Sequence, residues 1–299
     1  MKKLFLPILL AAFPICITAQ TPVARPHITG IDHVAFYTTA PDGVKKVYEE
    51  ELGLASAAPI ESGETVRYMV GTQWVGYSPA PDPNAIDRLD HAAFTTDNVA
   101  ALRRYLSGKG LKPSEIAEQS DHSRSFMVSD PEGRRVEFVE RGKGAVPAPP
   151  ASAVSHRMIH VGYKVHSREA DDHFYREILG FRPYWHGGMK DDVTDWVALQ
   201  VPDGTDWLEY MLSENPNPTL QWMGVMNHIS LGVADMSKAQ ALLESHGWKV
   251  HGGEHPQMGR DGKRQLNVFD PDFSRIELME FKPAEKPCCS EFTGPHPTE

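Results

Sequence analysis

Two histidines and two glutamates in the second half of the chain stand at repeating intervals: His160 to Glu209 is 49 residues, Glu209 to His228 is 19, and His228 to Glu277 is again 49. Imidazole and carboxylate both ligate divalent metals. Two neutral imidazoles with two carboxylates form a borderline set suited to Ni, Zn, Co, Fe or Mn, with positions left for water or substrate. Burying two carboxylates together without a cation is costly, since each loses its hydration and faces a like charge. The four residues are therefore expected to hold one divalent ion. A core histidine satisfied by a hydrogen bond would explain His228 alone, but not the repeat. The first half carries His33, His91 and Glu137 at matching places, with Gly76 where Glu209 stands, so one carboxylate is missing there. Two histidines and one carboxylate still form a facial set for Fe(II). That half is expected either to hold a second metal or to be a degenerate copy kept for packing.

The elements that would position these side chains repeat as well. Opening strands GIDHVAFYT, LDHAAFTT, RMIHVGYKV and MNHISLGV begin at residues 30, 89, 157 and 226. Each is followed by a helical pattern that stops at a glycine, then by strands. Closing strands are QWVGYSP, FMVSDPEGRRVEFVE, DWLEYML and LNVFDPDFSRIELME. The opening and closing strands alternate apolar and polar residues as half-buried sheets do. The pattern predicts four βαβββ units. A Pro- and Ala-rich stretch, residues 142–155, has no apolar face and separates the halves. The expected organisation is a signal peptide over 1–19, a first domain over 28–141, the linker 142–155, a second domain over 156–282 and a flexible tail over 283–299.

Opening strands with a central His, helices ending in LGL or LGF, and closing strands of the form DPxGxxxE make residues 28–282 resemble vicinal oxygen chelate proteins, the superfamily of glyoxalase I, bleomycin resistance proteins and extradiol dioxygenases. DPEGRRVEF is close to the family pattern, and DPDFSRIEL departs from it by Phe273 where glycine is usual. The resemblance implies an α+β fold in which the four units pair into two cupped mixed sheets, each with a metal at its base. The second half resembles glyoxalase I. That implies a metal-dependent lyase or isomerase stabilising an enediolate-type intermediate of a small oxygenated substrate, with Glu209 or Glu277 as the base. An Fe(II) extradiol-type ring-cleaving dioxygenase using His160, His228 and Glu277 is the alternative, although the Tyr and His expected before the last DP are replaced by Leu266-Asn267-Val268-Phe269. A non-catalytic small-molecule binding protein is the third reading.

Trp185, His186 and Met189, with His255, Met258 and Arg260, lie in segments expected to line the mouth of the second cleft and to touch substrate. His122 and Tyr163 carry no definite role. Lys2 and Lys3, an apolar run from Leu4 to Ile17 and small residues at Thr18-Ala19 read as a secretory signal, so an exported, periplasmic or secreted protein is expected. Losing it removes two lysines and no acid, taking the net charge from -10 to -12. That balance disfavours nucleic acid as a partner. No later stretch has the roughly 20 apolar residues of a membrane span. Cys288 and Cys289 suggest no disulfide framework.

Overall fold

A computed structural model describes residues 24–61, 63–142, 144, 149–250 and 254–299 and contains the four expected units; the signal segment 1–19 lies outside the described residues. Unit one is β1 (Ile28–Thr38), α1 (Pro41–Lys45) running on as a wider π turn (Lys46–Glu51), β2 (Ala55–Ala57), β3 (Val66–Val70) and β4 (Gln73–Pro79). Unit two is β5 (Leu89–Thr96), α2 (Val99–Gly108), β6 (Ala117–Glu118), β7 (Arg124–Ser129) and β8 (Arg135–Glu140). Unit three is β9 (Met158–Val165), α3 (Arg168–Asp171) with the π turn Asp172–Ile178, β10 (Arg182–Gly187), β11 (Trp196–Gln200) and β12 (Trp207–Leu212). A short helix, α4 (Leu220–Met226), leads into unit four: β13 (His228–Val233), α5 (Met236–Ser245), β14 (Gln257–Met258), β15 (Arg264–Phe269) and β16 (Arg275–Glu280). Local chemistry starts and stops the helices. Asn98, Ser167 and Asp235 cap the first turns of α2, α3 and α5 with a side-chain oxygen, while Gly53 and Gly180 of LGL and LGF take φ of 66° and 81°, a left-handed turn that glycine adopts without a Cβ penalty.

The strands form two eight-stranded mixed sheets of one topology, β2-β3-β4-β1-β5-β8-β7-β6 and β10-β11-β12-β9-β13-β16-β15-β14. In every unit the opening strand lies parallel beside the closing one. The two units of a sheet meet where β1 runs antiparallel to β5, and β9 to β13. The opening strands with their histidines are thus central, flanked by the carboxylate-bearing closing strands. Strand alternation sends Val34, Phe36, Val75 and Tyr77 to the helix side, where they join Val44, Tyr48, Phe174 and Tyr210 in one core shared by both halves. His33 and Trp74 occupy the other, concave face, stacked at 4.4 Å.

The halves are locked together. Asp272 accepts hydrogen bonds from Thr38 and Thr39 and pairs with Arg88, while Tyr77 donates to Asp270 and Tyr175 to Asp130. Two expectations change. Within the stretch read as a linker, Ala153 and Val154 are buried and the Val154 amide donates to the Leu52 carbonyl. Residues 283–299, read as a flexible tail, lie along the second sheet: Phe292 packs on Tyr184, Gln200 donates to the Pro295 carbonyl, and Trp185 Nε1 donates to the Cys288 carbonyl. Phe292, the side chains of Ser290, Thr293 and His296, and backbone carbonyls do this, which composition hides. Cys288 and Cys289 are bonded to each other as neighbouring half-cystines.

Candidate metal centres

In the first cup four side chains converge. His33 Nε2 is 3.1 Å from His91 Nε2, 2.8 Å from a Glu61 oxygen and 3.2 Å from a Glu137 oxygen. His91 Nε2 lies 3.5 Å and 3.4 Å from the same two carboxylates. The buried Glu137 Oε2 lies within reach of both Nε2 atoms, so the four side chains face a common point. Glu61 was not foreseen. It comes from the loop between β2 and β3 and supplies the carboxylate that β4 lacks at Gly76, where a Cβ would come within 2.3 Å of a Glu64 oxygen. Its only sequence signal is the pair of acids Glu61 and Glu64, a few residues before the strand whose Gly76 stands where a ligand is expected.

Each histidine is backed by an acid. His33 Nδ1 lies 2.9 Å from Asp32, and His91 Nδ1 3.1 Å from Asp90. Neighbouring strand residues normally point to opposite faces, but the ladder between β1 and β5 shifts register at Asp32 and again at Asp90, and a bulge re-aims its side chain. The acids fix the Nδ1–H tautomer and leave Nε2 free to ligate, as the partners of metal-bound histidines do. Arg141 in turn holds Asp32, and Arg135 holds Asp90. Burial opposes charge on both imidazoles. On His33 the Glu61 charge and hydrogen bonds to Asp32, Glu137 and Glu61 outweigh it and raise the pKa well above its usual value. On His91 the hydrogen bonds to Asp90 and Glu137 do the same. In Glu137, burial is overcome by the two imidazoles, which hold the carboxyl well below its usual range. A borderline divalent cation fits this donor set: it would take the place of the protons that these buried acids otherwise draw onto the histidines.

The second cup brings His160, Glu209 and His228 together as expected. Their nitrogens are 3.0 Å apart, with Glu209 3.4 Å from His228, and Glu277 3.4 Å from His160. The surroundings differ. Ile159 occupies the bulge that Asp32 fills in the first cup, and Asn227 stands for Asp90. His228 Nδ1 donates to the Met226 carbonyl, and Arg275 donates to His228 Nε2 at 2.8 Å. The lone pair that would ligate a metal is therefore engaged. Lys263, buried and without a hydrogen-bond partner, sits 4.4 Å over the Trp207 ring. Burial pushes Glu209 and Glu277 up to about 7 and Lys263 down to about 8, and lowers both histidines well below their usual value. With a guanidinium at the ligand position, this set does not fit a metal ion as it stands. His228 also explains Gly162, across the ladder on β9: a Cβ there would meet its ring at 2.0 Å.

The first cleft, about 210 Å³, is lined by Glu61, Glu64, Ser78, Phe126, Arg135 and Glu137 among others. The second, about 350 Å³, is lined by Trp185, Met189, Met258 and Arg260 from the expected mouth residues, along with Glu209, Arg275 and Glu277. His186 and His255 do not line it and are exposed; on β10 it is Trp185, and not its neighbour His186, that turns into the cup. His122 is exposed, and Tyr163 is buried against Arg134. No described helix is long and apolar enough to cross a membrane.

Comparison with solved structures finds the same fold in homoprotocatechuate 2,3-dioxygenase from Arthrobacter globiformis, with TM-score 0.65 and 17% identity over 87% of this chain and 82% of that one. A Mn(II)-bound glyoxalase from Novosphingobium aromaticivorans matches with TM-score 0.66 and 17% identity, covering 85% of this chain and 83% of its own. The 2,3-dioxygenase LapB from Pseudomonas sp. KL28 matches with TM-score 0.65 and 15% identity, covering 92% and 96%. No curated protein matches the sequence. The family model for the Glyoxalase/Bleomycin resistance protein/Dioxygenase superfamily matches residues 30–138 and 157–278, each range one cup, and the chain belongs to that superfamily.

Proposed function

We propose that this chain is a metal-dependent enzyme that works in its first cup on a small oxygenated substrate, as a lyase or isomerase moving a proton next to a carbonyl. The observation that carries this is the convergence of His33, His91, Glu61 and Glu137, with an aspartate behind each histidine. A bound Ni, Zn, Co, Fe or Mn ion supplies Lewis-acid stabilisation of negative charge developing on substrate oxygen. His33 and His91 on the central strands and Glu137 on the flanking β8 would hold it rigidly. Glu61 stands on a loop and would be the ligand free to loosen, and Glu64 near it lines the same cleft. Burial pushes Glu64 up to about 7, the range in which a carboxylate accepts and returns a proton at neutral pH. The small cleft suits a substrate of a few heavy atoms.

The same three strand residues are a two-His, one-carboxylate set, which supports a second reading as an Fe(II) ring-cleaving dioxygenase. Against it, the described residues lining the first cleft include no tyrosine, and their one histidine is the proposed ligand His91. A binding protein without turnover is the third reading. Export, as read from residues 1–19, belongs to the proposal and is checked by sequencing the N-terminus of the mature protein.

The test combines metal content with chemistry. His91→Ala is expected to lose the metal, and Glu61→Gln to keep it while slowing solvent-proton exchange into an α-hydroxy carbonyl compound by about 100-fold or more. Oxygen uptake with catechols by an iron-loaded protein, without such exchange, would move the assignment to the dioxygenase.

A further inference from the structure

The two cups share a topology and a quartet of metal-capable side chains, yet their charges are arranged in opposite ways. In the first, both arginines near the histidines are held by aspartates: Arg135 pairs with Asp90, and Arg141 with Asp32. Neither donates to an Nε2. In the second, Asn227 replaces Asp90 and spends its side chain on the Lys164 amide and on Asp87. Arg275, at the place Arg135 holds in unit two, pairs with no aspartate among the described residues. It turns inward, donating to His228 Nε2 at 2.8 Å and lying 3.5 Å from Glu277.

We propose that the second cup takes no metal ion, because Arg275 occupies the ligand position and, with buried Lys263, supplies through side chains the two positive charges that a divalent cation would bring. This rests on the metal's assignment to the first cup. Of the acids of the second cup, Glu209 and Glu277 face both cations and Asp261 faces Lys263. A divalent ion entering beside them would meet a guanidinium within hydrogen-bond distance of its own ligand, a like-charge contact in a buried site. The chain then carries one metal, and its second cleft, walled by Trp185, Trp196 and Met211, is metal-free.

Counting Co(II) decides it. The full chain, stripped with chelator and dialysed against Co(II), is expected to hold about one ion, kept in His228→Ala and lost in His91→Ala. Arg275→Ala, and Arg275→Met, which preserves volume if the smaller residue unfolds the cup, are each expected to take a second ion with a new set of visible Co(II) absorption bands. A second ion in the wild type that disappears in His228→Ala overturns the proposal and leaves the first-cup reading standing. A single ion lost in His228→Ala but not in His91→Ala overturns both. Failure of the folded Arg275 variants to gain an ion also overturns the proposal, since the guanidinium would not be what excludes metal. A wild type without Co(II) defeats the first-cup reading alone, because the Arg275 variants still decide the second.

Discussion

Asp32 and Asp90 do more than their neighbours to set the two cups apart. Each sits at a bulge and reaches behind the histidine that follows it in sequence. Their replacements, Ile159 and Asn227, leave His160 Nδ1 without a hydrogen-bond partner among the described residues and Arg275 turned inward onto His228 and Glu277. The consequence for titration has a definite sign. His33 and His91 are raised in the folded, metal-free protein above the roughly 6.5 of a free imidazole. Over that interval the native chain binds more protons than the unfolded one. The stability they confer is thus complete below about pH 6.5 and is lost as pH rises through their folded values. A metal takes only neutral imidazole, so its uptake releases these protons and strengthens with pH. Chelator-treated protein should melt at lower temperature at about pH 9 than at about pH 6, while the rise in Tm on adding metal should grow over the same range. A metal-induced rise that is flat or shrinks with pH would contradict the ligand assignment.

At the scale of elements, the turn between the last two strands of each cup shows what the family motif demands. Gly133 in DPEG takes φ of 85°, and Phe273 takes φ of 66° at the same point of DPDF. A left-handed non-glycine residue costs roughly 1–2 kcal/mol, and the half-exposed ring of Phe273 recovers little of that by burial. The turn is held by the Phe273 amide donating to the Asp270 carbonyl, the Asp270 amide donating to the Ser274 carbonyl, the Ser274 amide donating to the Asp270 side chain, and the close approach of Gly224 to the Phe273 carbonyl. Phe273→Gly should therefore stabilise the protein by about 1 kcal/mol, read as a higher urea midpoint at unchanged slope. A loss of stability would mean that the ring contributes packing that its exposure does not suggest.

The molecule as a whole is two cups back to back on a common core, and charged residues of the DP turns fasten one to the other. Asp270 of the second half accepts from Tyr77 of the first, and Asp130 of the first from Tyr175 of the second. Asp272 joins Thr38, Thr39 and Arg88. Removing one partner of a buried ion pair leaves an uncompensated charge and costs about 3–5 kcal/mol. Asp272→Ala should cost about that much and, by loosening the junction, split a single calorimetric transition into two. One transition at an unshifted temperature would show that the apolar core alone couples the halves. The segment 283–299 packs within the second half, with Phe292 near the Lys263 ammonium over the second sheet.

The four-unit plan was legible in residue order because its signals are local: glycines that end helices, strands that alternate, a histidine central in each opening strand. Periodic side chains on paired strands follow from the pleat, so His33, His91 and Glu137, and likewise His160, Glu209, His228 and Glu277, could be brought together on paper from spacing alone. Glu61 could not, since nothing in a loop's sequence states how far its side chain reaches across a sheet. Nor could the fate of Arg275, which follows from the charge beside it in space: Asp90 draws its counterpart Arg135 away from the histidines, and Asn227 does not. Where carboxylates and cations settle in a buried site is a through-space balance of charge and hydration, and only the tertiary structure supplies its distances.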